Sequence, residues 1–147
     1  MPRLSRWMVR CALAYLIIGV AIGGLMLLAK AGLADARLLA WILPHADMLV
    51  VGWLVQMAMG MGFWILPRIR VAGRGRVALA WAAWVCLNAG LVLGAGLALL
   101  AYWFPGDWMR TAFSAGILLQ AAAMGLYALY AWPRILPTIT AADLRRK

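Results

Sequence analysis

Four long apolar runs constrain this chain more than any other feature of its sequence. Each run is long enough to cross roughly 30 Å of hydrocarbon as a helix that rises 1.5 Å per residue. Their positions predict helices at Cys11–Ala29, Pro44–Leu66, Val77–Ala101 and Met109–Trp132. Hydrophobic residues make up 67% of the 147 residues and charged residues 12%, which is more apolar surface than a soluble fold of this size can bury. The sequence therefore predicts an all-α integral membrane four-helix bundle, with residues 1–147 forming a single transmembrane domain.

The first apolar run follows several arginines, as the core of a secretory signal would. The stretch Cys11–Ala29 is long for such a core, so we interpret it as a retained helix. The connections between the runs are short, which leaves any chemistry to the bundle itself.

The distribution of basic residues predicts how the bundle is oriented. Fourteen Lys and Arg residues outnumber four acidic ones, for a net charge of +10. They flank the apolar runs, which indicates attraction to anionic lipid headgroups rather than a nucleic-acid partner. Eleven of them lie before the first run, between the second and third runs, or after the fourth, and the other three lie in the first connection or at the start of the fourth run. By the positive-inside rule both termini are cytoplasmic, and we expect the bilayer to be a bacterial inner membrane.

One stripe of the second predicted helix combines residue types that could hold a cofactor. At about 100° per residue the stripe is roughly 60° wide and consists of His45, Met48, Gly52, Gln56, Met59 and Phe63. Small residues would let a flat macrocycle or another helix approach closely, and an imidazole is a natural axial ligand for heme iron. His45 is the only histidine in the chain. The alternative interpretation is a polar residue at the membrane edge, satisfied by water.

The sequence around His45 resembles a family of heme proteins. The matching string reads His45-x-Asp47-Met48-x-x-x-Gly52-Trp53-x-x-Gln56-x-x-x-Gly60, followed by Phe63-Trp64-x-x-Pro67-Arg68. It is similar to the second helix of the heme-copper oxidase catalytic-subunit superfamily, and in particular of its short four-helix, subunit I-like relatives. The resemblance covers about 25 of the 147 residues. It implies that His45 is the iron ligand of a b-type heme, because the matching histidine of the large oxidases binds their low-spin heme.

Two departures from the family pattern narrow what the resemblance implies. The family's second helix opens with a histidine pair, whereas Asp47 stands in place of the second histidine. The chain also has no histidine for a second heme or for copper. We therefore expect heme b without copper, and a sixth iron ligand that is a methionine, the His45 of a second copy, or absent.

Met109 is a candidate because of a faint internal repeat. The motifs Gly52-x-x-x-Gln56 and Gly116-x-x-x-Gln120 are offset by 64 residues, and the same offset relates His45 to Met109. The repeat predicts that Met109 lies at the depth of His45 on the fourth helix. The alternative is that Met109 only packs at the membrane edge, since methionines commonly fill gaps.

Other polar and small residues have structural interpretations. Asp47 falls in the first turn of the second predicted helix, where a carboxylate complements the helix dipole. Gln56 and Gln120 lie in mid-span, where they are costly unless bonded across the bundle, with Asn88 as a further partner. Two small-residue pairs are typical of close packing against a helix of the same chain or of a second copy: Gly19-x-x-x-Gly23 and Gly90-x-x-x-Gly94.

The sequence leaves two functions open. The first is a small membrane b-type heme protein for electron transfer or diatomic-gas binding. Its metal ligand is His45, and its further cofactor contacts are Met48, Gly52, Gln56, Met59 and Met109. The second is a heme-free accessory subunit of a larger respiratory or photosynthetic membrane complex. In both cases we expect a homo-oligomer or a subunit of a larger assembly, and no enzyme, because no catalytic constellation is visible.

The orientation can be tested with reporter fusions, because the basic residues are so unevenly distributed. Fusions in the connection after the second helix and at the C-terminus should score cytoplasmic. Fusions beside Asp35 and Asp107 should score external. A cytoplasmic signal at Asp35 would contradict a bundle with both termini inside.

Overall fold

The fold is described by a computed structural model that covers residues 1–67, 76–100 and 106–135. Within these residues every regular element is helical. The four long helices are α1 (Arg3–Lys30), α2 (Ala36–Ile65), α3 (Val77–Leu100) and α4 (Trp108–Ile135). Each is long and apolar enough to cross a membrane, which confirms the predicted all-helical set of four spans. The predicted end of the third helix at Ala101, most of the second connection and the C-terminal tail lie outside the described residues.

Two helices begin earlier than predicted. Arginines precede the apolar run of the first, and the second extends back past Pro44, where its predicted run began. The first helix begins at Arg3 rather than Cys11, and it buries Leu4 and Met8 while its arginines stay exposed. The second begins with a 3-10 turn at Ala36–Trp41 and continues as an α-helix at Ile42–Asp47. The Asp35 carboxylate accepts a hydrogen bond from the backbone N–H of Arg37 at 2.9 Å and so caps this turn.

The surface and the interior of the bundle contain different kinds of apolar residue. Large side chains point outward, as Ile17, Leu27 and Leu118 do, with about 70% of their surface exposed. Alanines supply much of the interior, and five of them have no exposed surface: Ala12, Ala80, Ala83, Ala95 and Ala123. This inversion is typical of membrane helices, where small residues allow close packing and large apolar ones face lipid tails.

Two helices contain wide turns. A π-helical segment occupies Met48–Val55 of α2, and a shorter one occupies Val92–Gly96 of α3. In a π-helix each N–H bonds five residues back, so more residues fit into one turn than in an α-helix. The face of α2 therefore cannot be followed through this segment at a constant 100° per residue.

Glycines bring the helices into backbone contact. A Cβ atom on Gly116 of α4 would lie 2.6 Å from the backbone nitrogen of Gly94 and 2.8 Å from the carbonyl oxygen of Gly90, both in α3. Between α1 and α2, a Cβ atom on Gly60 would lie 2.9 Å from Cβ of Met8. The close packing predicted for Gly90 and Gly94 is confirmed, and its partner is a helix of the same chain.

Arg134 joins the end of α4 to the end of α2. Its side chain is only 3% exposed. Nε donates to the carbonyl oxygen of Pro67 at 3.0 Å, and the other two nitrogens donate to the carbonyl oxygen of Leu66 and the hydroxyl of Tyr130. Leu66 and Pro67 directly follow Ile65, the last residue of α2. Arg134 therefore holds the chain at the end of α2 to the end of α4.

The glycine contact predicts an unequal response to two matched substitutions in α4. Gly116→Ala places a methyl group against backbone atoms that cannot rotate away, so we expect a loss of about 1–3 kcal/mol or more of stability. Gly125→Ala is the control, because no described atom of another helix lies within 4 Å of its added Cβ. It should be neutral or stabilising by roughly 0.5–1 kcal/mol through helix propensity. Thermal unfolding in detergent measures both, and equal melting temperatures would contradict the crossing.

Candidate functional site

His45 is oriented by a backbone carbonyl of the neighbouring helix. Its Nδ1 lies 2.9 Å from the carbonyl oxygen of Gly19 in α1. Because a carbonyl oxygen only accepts, Nδ1 is the donor in this contact, and the neutral ring keeps its lone pair on Nε2. No residue in the described ranges forms a hydrogen bond with Nε2. Histidines that bind metals commonly have this arrangement, with one nitrogen held by a carbonyl and the other free for the metal.

Gly23 creates the space in which the imidazole lies. A Cβ atom at this position would come within 2.7 Å of Cε1 of His45 and 3.4 Å of Nδ1. Gly19, one turn earlier, supplies the carbonyl and is itself covered by Leu49. The Gly19-x-x-x-Gly23 pair therefore holds a side chain of α2 as well as allowing that helix to approach. The spacing of the two glycines predicted close packing but did not indicate their contact with His45.

A groove on the outside of α1 and α2 begins at this imidazole. It has a volume of about 520 Å³, and its walls include Gly23, Gly24, Met26, Lys30 and His45. This volume falls within the range of about 300–1,000 Å³ that is usual for small-molecule sites. Lys30 places one cationic side chain at the last turn of α1 beside an otherwise apolar surface. Neither Met26 nor Lys30 was among the residues predicted for the site.

The rest of the predicted stripe is occupied by packing contacts. Met48 and Met59 are about 5% exposed. At Gly52 the Tyr15 side chain fills the space, because a Cβ atom there would lie 2.7 Å from Cγ of Tyr15. The Gln56 side chain is fully buried, and Nε2 donates to the carbonyl oxygen of Met8 at 3.2 Å. Side chains of the bundle therefore fill the space around these four residues, and the cofactor contacts of Met48, Gly52, Gln56 and Met59 stay a prediction.

Met109 is not brought to His45. It lines a different groove, together with Trp41, Pro44 and Arg110. Pro44 directly precedes His45 in α2, so Met109 shares a cavity with the residue before His45 but not with His45 itself. The equal depth that the repeat predicted for His45 and Met109 stays a prediction.

The mid-span amides bond across the bundle, but not to each other. Gln120 Nε2 donates to Oδ2 of Asp47 at 2.8 Å, which links α4 to α2. Gln56 instead bonds to α1 through the backbone of Met8. Asn88 donates to the carbonyl oxygen of Trp84 one turn earlier in its own helix, at 2.8 Å, and does not join them. Asp47 is also not in the first turn of α2, which begins at Ala36, so its partner is an amide and not the helix dipole.

The structure thus separates two polar groups that are adjacent in sequence. His45 faces α1 and its groove, whereas Asp47 faces α4. In the described part of the chain, no three His, Cys, Asp or Glu residues come together as a metal-ion site. A heme needs only one or two protein ligands, and the His45 groove offers one nitrogen ligand beside an apolar wall. The residues around His45 therefore fit a heme.

No protein-family model, curated protein or solved structure matches this chain. The resemblance to the oxidase superfamily stays a prediction, and the function has to be argued from the geometry around His45.

Proposed function

We propose that this protein is a small membrane b-type heme protein for electron transfer or diatomic-gas binding, with His45 as the iron ligand. One observation carries the proposal: the Gly19 carbonyl holds Nδ1 of His45, which leaves Nε2 available beside a groove of suitable size. A histidine that only bonded to water at the membrane edge would not require the space that Gly23 leaves for it in α1. The string around His45 that resembles the oxidase second helix supports the same assignment.

The residues of the groove would hold the cofactor in distinct ways. Gly23 and Gly24 provide a wall without side chains, against which a flat ring can lie. The Lys30 ammonium can pair with a carboxylate at the groove's edge. The hydrogen bond from Nδ1 to Gly19 keeps the imidazole in one orientation as a ligand. When bound, the iron would supply a one-electron couple or a site for a gas molecule.

The sixth ligand is constrained by which side chains share the groove. Met109 lines another groove, whereas Met26 lines that of His45. The alternatives in keeping with this geometry are Met26, the His45 of a second copy seated on the same surface, or an open position. An open position would favour gas binding, and a filled one would favour electron transfer.

Orientation and location belong to the same proposal. Both termini lie on the cytoplasmic side of a bacterial inner membrane, because basic residues are concentrated at the end of the bundle where α1 begins and α4 ends. Lys30 and the His45 groove then lie toward the outer side. Association with a second copy or a larger membrane complex accords with the large apolar side chains on the bundle surface.

A heme-free accessory subunit is the second candidate function. The observation that favours it is the dense packing of Met48, Gly52, Gln56 and Met59, which uses most of the stripe for holding helices together. In that case the His45–Gly19 bond would only join α1 to α2. An absorbance spectrum separates the two functions, because only a heme protein has a Soret band after purification.

The ligand assignment predicts that His45→Ala removes most of the heme. The bundle should stay folded, since the contacts of α3 with α4 do not involve this side chain. The absorbance of the Soret band relative to protein measures heme content, and circular dichroism measures helix content. A full and unshifted Soret band in His45→Ala would contradict the assignment. Wild-type protein without any Soret band would leave the accessory-subunit function.

The space that Gly23 leaves for the imidazole predicts that a substitution of this glycine weakens heme binding while His45 itself is unchanged. Gly23→Ala would place a methyl group 2.7 Å from Cε1 of His45, so the ring must move and lose its bond to Gly19. Loss of such an orienting partner typically weakens a metal site by about 10- to 100-fold. Gly125→Ala, on α4 with open space around it, is the control for the glycine-to-alanine change itself. Heme titration of the purified variants measures the affinity of each. Equal heme affinities of Gly23→Ala and Gly125→Ala would mean that Gly23 does not position His45.

A further inference from the structure

A second groove lies on the other side of α2, between that helix and α4. It consists of two adjoining cavities of about 460 and 300 Å³ that share Leu43 and Phe113 as walls. Arg110 lies in the first cavity and Asp47 in the second. The groove is therefore mostly apolar, with a cationic group in one cavity and a carboxylate in the other. The His45 groove shares none of these residues.

The carboxylate in this groove is only partly satisfied by the protein. Gln120 donates to Oδ2 of Asp47 at 2.8 Å, which fixes the carboxylate against α4. In the described ranges no donor reaches Oδ1, and this oxygen is not among the fully buried ones that lack a partner. A carboxylate within a membrane-spanning helix is costly, and such groups commonly mark a binding site. Oδ1 is available to a donor that enters the groove.

The spacing of the two charged groups limits what can occupy the groove. Arg110 is one turn from Phe113 on α4, and Asp47 is one turn from Leu43 on α2. The two groups are therefore separated by one to two turns, on the order of 5–10 Å along the axis. An occupant must have an anionic group near the start of α4, a hydrogen-bond donor one to two turns deeper, and an apolar remainder. An ammonium headgroup does not meet this need, since it lies outside the phosphate of its lipid and points to water.

We propose that this groove binds an anionic glycerolipid with a free backbone hydroxyl, its phosphate on Arg110 and its hydroxyl donating to Asp47. A lipid with both backbone positions esterified has the phosphate but no donor at the required depth. The single remaining chain would lie along Val50 and Ile117, which continue the groove beyond Asp47. The site is independent of heme, because His45 faces the opposite side of the same helix.

Two probes that differ by one methyl group test the proposal: a 1-acyl-2-hydroxy-glycerol phosphate and its 2-methoxy analogue. Native mass spectrometry of the purified protein in a neutral detergent measures the binding of each. The hydroxyl form should bind roughly tenfold more tightly, which is the usual effect of one hydrogen bond to a charged group. Equal binding of the two probes would overturn the proposal. So would the absence of binding, as expected if another protein covers this surface.

Three variants assign the contacts. Asp47→Asn keeps an acceptor for Gln120, so the bundle stays joined, but it should remove most of the preference for the hydroxyl probe. Arg110→Gln should weaken both probes alike, because both carry the phosphate. Asp107→Asn changes an exposed acid outside the groove and should change neither affinity. An unchanged preference in Asp47→Asn, or unchanged binding in Arg110→Gln, would overturn the assigned contacts.

Discussion

The architecture depends on backbone contact between α3 and α4 at Gly90, Gly94 and Gly116. Lipid offers no hydrophobic driving force for helix association, because its tails are as apolar as the helices, so close van der Waals packing and hydrogen bonds must supply the stability. The glycine crossing supplies the packing. Two hydrogen bonds then join α4 to α2. Gln120 Nε2 donates to Oδ2 of Asp47 at 2.8 Å, and the Tyr127 hydroxyl donates to the carbonyl oxygen of Met59 at 2.7 Å. These bonds require α4 to be close to the rest of the bundle, and it is the glycines that allow it.

The second helix carries both groups for which we propose a role. His45 and Asp47 are two residues apart and therefore face opposite neighbours, so each can be held independently. Among residues 1–67, 76–100 and 106–135, each side chain has one bonded atom and one without a hydrogen bond: Nδ1 is bonded and Nε2 is not, while Oδ2 is bonded and Oδ1 is not. The bonded atom fixes the orientation of the side chain, and the other atom can still bind a ligand. A binding site requires both properties.

The sequence predicted the number and approximate positions of the spans because a long apolar run is a strong signal that needs no tertiary information. It also identified His45 and the glycine pairs. It failed where a constant helical period was assumed. The repeat has an offset of 64 residues and predicted equal depths for His45 and Met109, whereas the observed bonds between α2 and α4 have offsets of 73 residues at Asp47 and 68 at Met59. The wide turn at Met48–Val55 lies between these two points, and nothing in its apolar sequence distinguishes it from an ordinary helix. Side-chain partners such as Gln120 with Asp47 depend on that shift and could not be read from spacing.

The same two offsets bear on how the chain can change in length. Between the Asp47 bond and the Met59 bond, α2 uses five more residues than α4 does. Part of this surplus is accommodated in the wide turn, which fits more residues into each turn than an α-helix. A deletion of one residue within Met48–Val55 could be absorbed locally, by returning a wide turn to α geometry. Residues Gln56–Ile65 are already α-helical, so a deletion there cannot be absorbed in the same way. It would rotate Leu66 and Pro67 away from the guanidinium of Arg134. Variation in length among related chains should therefore be concentrated in the first of these segments.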